Sequence, residues 1–102
     1  MVQEPKKVCR TPTEGREGTT SIPLWKYELV RRAILEAVET AEPDGFPFKD
    51  LPKAVEARLS KQERAELGSI GWHTTTVKLE MEVAGDLKRS ETKGPPRLRL
   101  SQ

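Results

Sequence analysis

Two stretches near the end of the chain decide the fold: residues 77–89, VKLEMEVAGDLKR, and residues 97–100, RLRL. In the first stretch, apolar residues recur from Val77 at spacings of three and four, which predicts the buried face of a helix. Gly85 follows where a left-handed C-terminal cap belongs. Beyond Gly85 the apolar period falls to two, which predicts two short strands around a turn at residues 92–96. A helix followed by a β-hairpin is therefore expected here.

Upstream, the same spacing predicts two more main helices and one short helical turn. Ser21 and Pro23 suit the start of the first helix, as cap and first-turn residue. Ser60 and Glu63 match the capping box, so a short helical turn begins there and ends before Gly68. The main helices are expected at residues 23–41, 49–59 and 74–84, and the short turn at 60–67.

The link between the first two helices, residues 45–48 (GFPF), is too short for a helix. It predicts an extended connector or a single-bridge strand that carries two phenylalanines into the core. The residues expected in the core are Tyr27, Val30, Ile34, Val38, Phe46, Phe48, Leu51, Val55, Leu59, Trp72, Val77, Met81, Leu87, Leu98 and Leu100.

The chain has 102 residues, of which 34% are hydrophobic, so one domain with a small core is expected. Residues 1–21 hold two prolines, two glycines and few apolar side chains, which favours a disordered N-terminal arm. The folded domain is then residues 22–102. Charge is unevenly divided, because residues 86–102 carry five basic and two acidic groups.

The order helix, short strand, helix, helix, hairpin resembles the winged helix-turn-helix superfamily, an α+β fold. The resemblance covers residues 23–101 and depends on the two stretches quoted above. It implies that the helices at 49–59 and 74–84 form the helix-turn-helix and that the hairpin is the wing. Residues 78–82 and 96–100 are also similar to an uncharacterised bacterial family of small proteins. A link of about 14 residues between the two helices departs from the usual three or four.

The resemblance implies a DNA-binding protein, with transcriptional regulation as the expected role and double-stranded DNA as the partner. A recognition helix presents its N-terminal residues to the major groove, and basic wing residues contact phosphates. The candidate DNA-binding residues are His73, Thr74, Thr75, Thr76, Lys78, Lys88, Arg89, Lys93, Arg97 and Arg99. The simpler alternative is that lysine and arginine protect the edge of the hairpin against aggregation.

A second hypothesis is a protein-interaction module that kept the scaffold without DNA readout. Glu80 and Glu82 make the third helix acidic, which weakens its case as a sequence reader. Trp25, Leu24 and Leu29 lie off the apolar stripe of the first helix, so that helix would pair with a second copy or with a partner protein.

Other classes of function have little support. Cys9 and His73 are the sole cysteine and histidine, about 60 residues apart, and a metal site needs three or four ligands. We expect no catalytic site, cofactor or small-molecule ligand. The sequence contains neither a secretory signal pattern nor an apolar run of the roughly 20 residues that a membrane helix needs. A cytoplasmic protein is expected.

Overall fold

The computed structural model of the chain describes residues 4–11, 19–90 and 94–101. Within these residues the fold is mixed α+β, with four α-helices and two small antiparallel sheets. In chain order the elements are β1 (Lys6–Arg10), β2 (Thr19–Pro23), α1 (Leu24–Glu39), β3 (Phe46–Pro47), a 3-10 turn (Phe48–Asp50), α2 (Leu51–Ala57), α3 (Lys61–Leu67), α4 (Ile70–Ala84), β4 (Leu87–Arg89) and β5 (Arg97–Leu100). Among the described residues, no helix is both long and apolar enough to span a membrane.

The N-terminal segment differs from the disordered arm that the sequence predicts. Strands β1 and β2 pair antiparallel. Residues 12–18, which connect them, lie outside the described part of the chain. Cys9 and Ile22 lie on one face of this hairpin and are buried. The backbone N–H of Leu24 donates to the Pro5 carbonyl over 2.8 Å, which ties the hairpin to the start of α1. Burial of these two apolar side chains contributes to the ordering of a segment that is otherwise polar.

A buried carboxylate anchors the hairpin to α4. Glu80 is fully buried, and its two oxygens accept from the Arg10 guanidinium over 2.9 and 2.7 Å. One of these oxygens also accepts from the Arg10 backbone N–H at 2.9 Å. Hydrogen bonds from Arg10 hold the pKa of the Glu80 carboxyl below its usual value of 4.5. The carboxylate therefore stays charged at neutral pH and links residues 70 positions apart.

The first predicted helix is observed as α1, and four residues of its predicted apolar stripe are buried, Tyr27, Val30, Ile34 and Val38. The fifth, Ala41, lies beyond the end of α1 and is half-buried. Ser21 lies in β2 and does not cap it; Pro23 precedes the first turn without a side-chain hydrogen bond. The second predicted helix divides into the 3-10 turn and α2, with proline in the first turn of α2. The capping box at α3 is confirmed by reciprocal hydrogen bonds between Ser60 and Glu63.

Helix α4 begins at Ile70, four residues before the predicted start. Ser69 caps it, because its hydroxyl accepts from the Trp72 backbone N–H at 3.2 Å. Gly85 ends the helix in the left-handed conformation at φ +89°, as predicted. The earlier start leaves the Trp72 side chain 48% exposed, so its predicted place in the core is wrong.

The C-terminal sheet has the strand order β3-β5-β4, with Phe46 opposite Leu98 and Lys88 opposite Arg99. Because paired residues share a face, Leu98 and Leu100 face the helices while their neighbours Arg97 and Arg99 face outward. The short strand predicted in the GFPF link is confirmed as β3.

One core unites the helices, the sheet and the N-terminal hairpin. Most of the predicted core is buried, although Phe46, Phe48 and Leu100 are only partly covered. Five buried hydrophobic residues were not expected: Cys9, Ile22, Ala33, Ala37 and Leu67. Polar side chains also enter the interior from α4: His73, Thr74, Lys78 and Glu80.

Candidate nucleic-acid interface

The first turns of α4 present fewer polar groups than the sequence predicts. His73 and Thr74 are buried, Thr76 is half-buried and Thr75 is exposed. The His73 Nδ1 lies 2.6 Å from the Ser69 carbonyl oxygen, so the Nδ1–H group donates a hydrogen bond to that oxygen. Of these four candidates, Thr75 is the one that is exposed to an external partner.

Lys78 and Arg89 meet at one aromatic ring. The Lys78 Nζ lies 4.1 Å from the centroid of Phe48, and the Arg89 Cζ lies 5.1 Å from it. Glu82 completes the group, since one oxygen accepts from Lys78 at 3.1 Å and the other from Arg89. We call Phe48, Lys78, Glu82 and Arg89 the Phe48 cluster. Burial lowers the pKa of the Lys78 ammonium, and the neighbouring Glu82 offsets part of that effect.

The three-stranded sheet has a basic outer face. Register places Lys88 opposite Arg99, and Arg97 shares their face because it is two residues along β5. Lys88 is exposed, and the other two are half-buried. Arg99 Nε donates to Glu42 at 3.4 Å, and an Arg97 guanidinium nitrogen donates to the Gly45 carbonyl over 3.4 Å. We call Lys88, Arg97 and Arg99 the outer sheet face.

Beside the hairpin lies a shallow apolar hollow of about 330 Å³, lined by Pro47, Phe48, Lys49, Pro95 and Pro96. The Phe48 backbone N–H donates to the Pro96 carbonyl at 3.1 Å, which fixes the hairpin turn against β3. Lys93, the remaining candidate, lies outside the described residues.

The candidate DNA-binding residues of the hairpin β4–β5 thus divide between its two faces. Arg89 pairs with Leu98 and faces the helices, whereas Lys88 faces outward. Both belong to β4, which is one of the two edge strands of the sheet. Sequence reasoning missed the partners Phe48, Glu82 and Glu42. The four-residue spacing of Lys78 and Glu82 on a helix was a signal for their pairing, but no local pattern relates residue 42 to β5.

A second surface lies between α1 and α3. Trp25, one of the residues placed off the apolar stripe, is 37% exposed. It lines an open groove of about 410 Å³ with Leu29, Glu28, Arg32, Glu63 and Glu66. Lys26 Nζ donates to the Leu67 carbonyl at 3.1 Å and so connects the two helices beside this groove.

Cys9 lies within an ordered strand, contrary to its predicted place in a disordered arm. The thiol is buried between the hairpin and the helices, and this burial raises its pKa. Among residues 4–11, 19–90 and 94–101, no three His, Cys, Asp or Glu side chains are grouped so that they could hold a metal ion.

Neither the curated proteins nor the solved structures include a match to this chain. The model of DUF6958, a family of unknown function, matches residues 6–98. That match covers the N-terminal hairpin, all four helices and the start of β5. The chain therefore belongs to the DUF6958 family.

Proposed function

We propose that the part of the chain from α1 to β5 is a winged helix-turn-helix that binds duplex DNA in a regulatory role. In this proposal α2 and α4 form the helix-turn-helix, α3 is an insertion between them, and the hairpin β4–β5 is the wing. Two observations support it. The hairpin follows α4 directly, and it pairs with the short strand between α1 and α2.

The observation that carries DNA binding is the outer sheet face. Its three cations, Lys88, Arg97 and Arg99, project from adjacent strands, and Glu42 is the acidic side chain bonded to one of them. Cations at strand spacing suit the phosphates of a duplex backbone, which need charge rather than sequence readout.

The N-terminus of α4 contributes less to this proposal. His73 and Thr74 are buried, so Thr75 and the partly exposed Trp72 would face the major groove of the duplex. Few base contacts and several phosphate contacts lead to weak sequence preference and steep salt dependence.

The test is a titration of a fluorescent random-sequence duplex with the protein at low and moderate salt. We expect binding that weakens steeply with salt. In the variant Lys88→Gln with Arg97→Gln, the negative slope of log K against log salt should become shallower by roughly two, since each lost phosphate contact removes about one. These positions leave the Arg99–Glu42 ion pair intact.

The matched control is Lys6→Gln with Lys61→Gln, which removes two exposed lysines from β1 and α3, outside the proposed helix-turn-helix and wing. Its salt slope should change much less than that of the hairpin variant. An equal change in both would refute phosphate contact through the outer sheet face. No binding by the natural protein at low salt would refute DNA binding itself.

The second candidate function is protein binding through α1, with a second copy or another protein. The exposed Trp25 ring in the groove between α1 and α3 favours it. Sedimentation at rising protein concentration tests whether the partner is a second copy of the chain, because self-association through this groove should disappear in Trp25→Ala.

A further inference from the structure

The Phe48 cluster brings together side chains from three separate elements. Phe48 begins the turn after β3, Lys78 and Glu82 lie on α4, and Arg89 ends β4. Lys78 and Arg89 both approach the Phe48 ring, at 4.1 and 5.1 Å from its centroid. Each of the two cations takes a different oxygen of the Glu82 carboxylate. The arrangement presents two positive donors to one small anion with two oxygens.

Charge within the cluster is unbalanced. Two cations face a single carboxylate, and the Lys78 and Glu82 side chains are about nine-tenths buried. Two like charges held together in a partly desolvated place are stabilised by any anion that enters. A phosphodiester has the same features as the Glu82 carboxylate, namely negative charge and two oxygens that accept hydrogen bonds.

The cluster opens to solvent at the edge of the sheet, on the side opposite the outer sheet face. The Arg89 side chain is about half exposed and lies on the edge strand β4, next to Lys88. Lys49 and the hollow at Pro95 and Pro96 adjoin the same Phe48 ring. In the described part of the chain, the Glu82 carboxylate bonds only to Lys78 and Arg89. Release of these two bonds would therefore free it to turn toward solvent.

We infer that Lys78 and Arg89 form a second phosphate site, which Glu82 occupies in the free protein and yields to a phosphodiester of duplex DNA. This inference rests on the proposed DNA binding and extends it. Glu82 is a regulatory residue here, because its carboxylate competes with the nucleic acid for the same two cations. The protein then binds DNA with fewer phosphate contacts than its cations would allow.

The direct test is Glu82→Gln, assayed by the same duplex titration. Loss of the competing carboxylate should tighten binding by at least tenfold at low salt and steepen the salt slope by up to about two. Glu39→Gln is the matched control, since it removes one exposed carboxylate at the end of α1. Circular dichroism melting checks that both variants fold.

A second variant separates the site from a general effect of charge. In the Glu82→Gln background, Arg89→Gln should remove most of the gained affinity, because the freed site would lose one of its two donors. A gain that persists without Arg89 would overturn the inference, as would an equal gain in Glu39→Gln.

Failure of the inference can be told apart from failure of the proposed function. Binding by the natural protein with unchanged affinity in Glu82→Gln overturns the second phosphate site alone. Absence of binding by the natural protein and by Glu82→Gln overturns the proposed DNA binding as well.

Discussion

Glu80→Gln isolates the bond that holds the N-terminal hairpin to α4. Glutamine keeps the shape of Glu80, and its one oxygen can still accept from the Arg10 backbone N–H and Nε. It loses the charge that faces the guanidinium, and its NH2 group cannot accept from the second guanidinium nitrogen. A hydrogen bond to a charged group contributes about 1 kcal/mol more than a neutral one, and two such bonds are affected. Arg10 is half exposed, so solvent screens part of this gain. We expect the free energy of unfolding to fall by roughly 1–2 kcal/mol.

Two measurements follow from that figure. The melting temperature should fall by about 4–16 °C, given 4–8 °C per kcal/mol for a domain of this size. The buried Cys9 thiol gives a local readout, because it is 2% exposed and reacts only when the hairpin opens. A loss of 1–2 kcal/mol should raise its labelling rate by roughly 5- to 30-fold under native conditions.

The control is Glu39→Gln, which removes an exposed carboxylate and should change stability by less than about 0.5 kcal/mol. A lower melting temperature with unchanged Cys9 labelling would mean that Glu80 stabilises α4 without holding the hairpin. No change in either quantity would refute the reasoning from the buried ion pair.

Two further predictions concern pH and the backbone. The pKa of Glu80 is depressed in the folded state, so its contribution to the free energy of unfolding is complete above about pH 4.5 and is lost as the pH falls through the lower folded value. The stability difference between the natural protein and Glu80→Gln should therefore vanish in acid. A difference that persists in acid would contradict this account. Gly45 has φ +93°, and an added Cβ would lie 3.0 Å from the Arg97 Cβ, so Gly45→Ala should cost about 2–3 kcal/mol by denaturant unfolding. Gly85 has a similar φ, but an added Cβ would meet nothing within 4 Å, so Gly85→Ala should lower the free energy of unfolding by about 1 kcal/mol. Equal losses in the two variants would exclude the Arg97 contact as a cause.

The elements that sequence reasoning predicts well depend on neighbours along the chain. The capping box of α3, the left-handed Gly85 and the stripe of α1 are local features, and all three are confirmed. The predicted start of α4, residue 74, is four residues too late, and none of the threonines at 74–76 caps the helix. Ser69 caps it instead, and the resulting helix turns Thr74 inward and Trp72 outward.

The parts that could not be predicted depend on distant partners. Strand β1 holds one buried apolar side chain, Cys9, so its pattern looks like that of a polar arm. Its anchor is Glu80, 70 residues away, which the sequence places among ordinary surface glutamates. The candidate site also depends on a distant partner, because Glu42 accepts a hydrogen bond from Arg99, 57 residues further along the chain. Tertiary ion pairs leave no periodic signal.

The Arg10–Glu80 bond also sets an order of events during synthesis. Arg10 is made 70 residues before the carboxylate that holds it, and chains grow at roughly 5–20 residues per second. The hairpin therefore waits roughly 4–14 seconds for its anchor. During that interval Cys9 has no helix α4 to cover it and is open to thiol-reactive compounds. Docking of α4 then covers the Cys9 thiol. A nascent chain should therefore be far more sensitive to thiol modification than the folded protein.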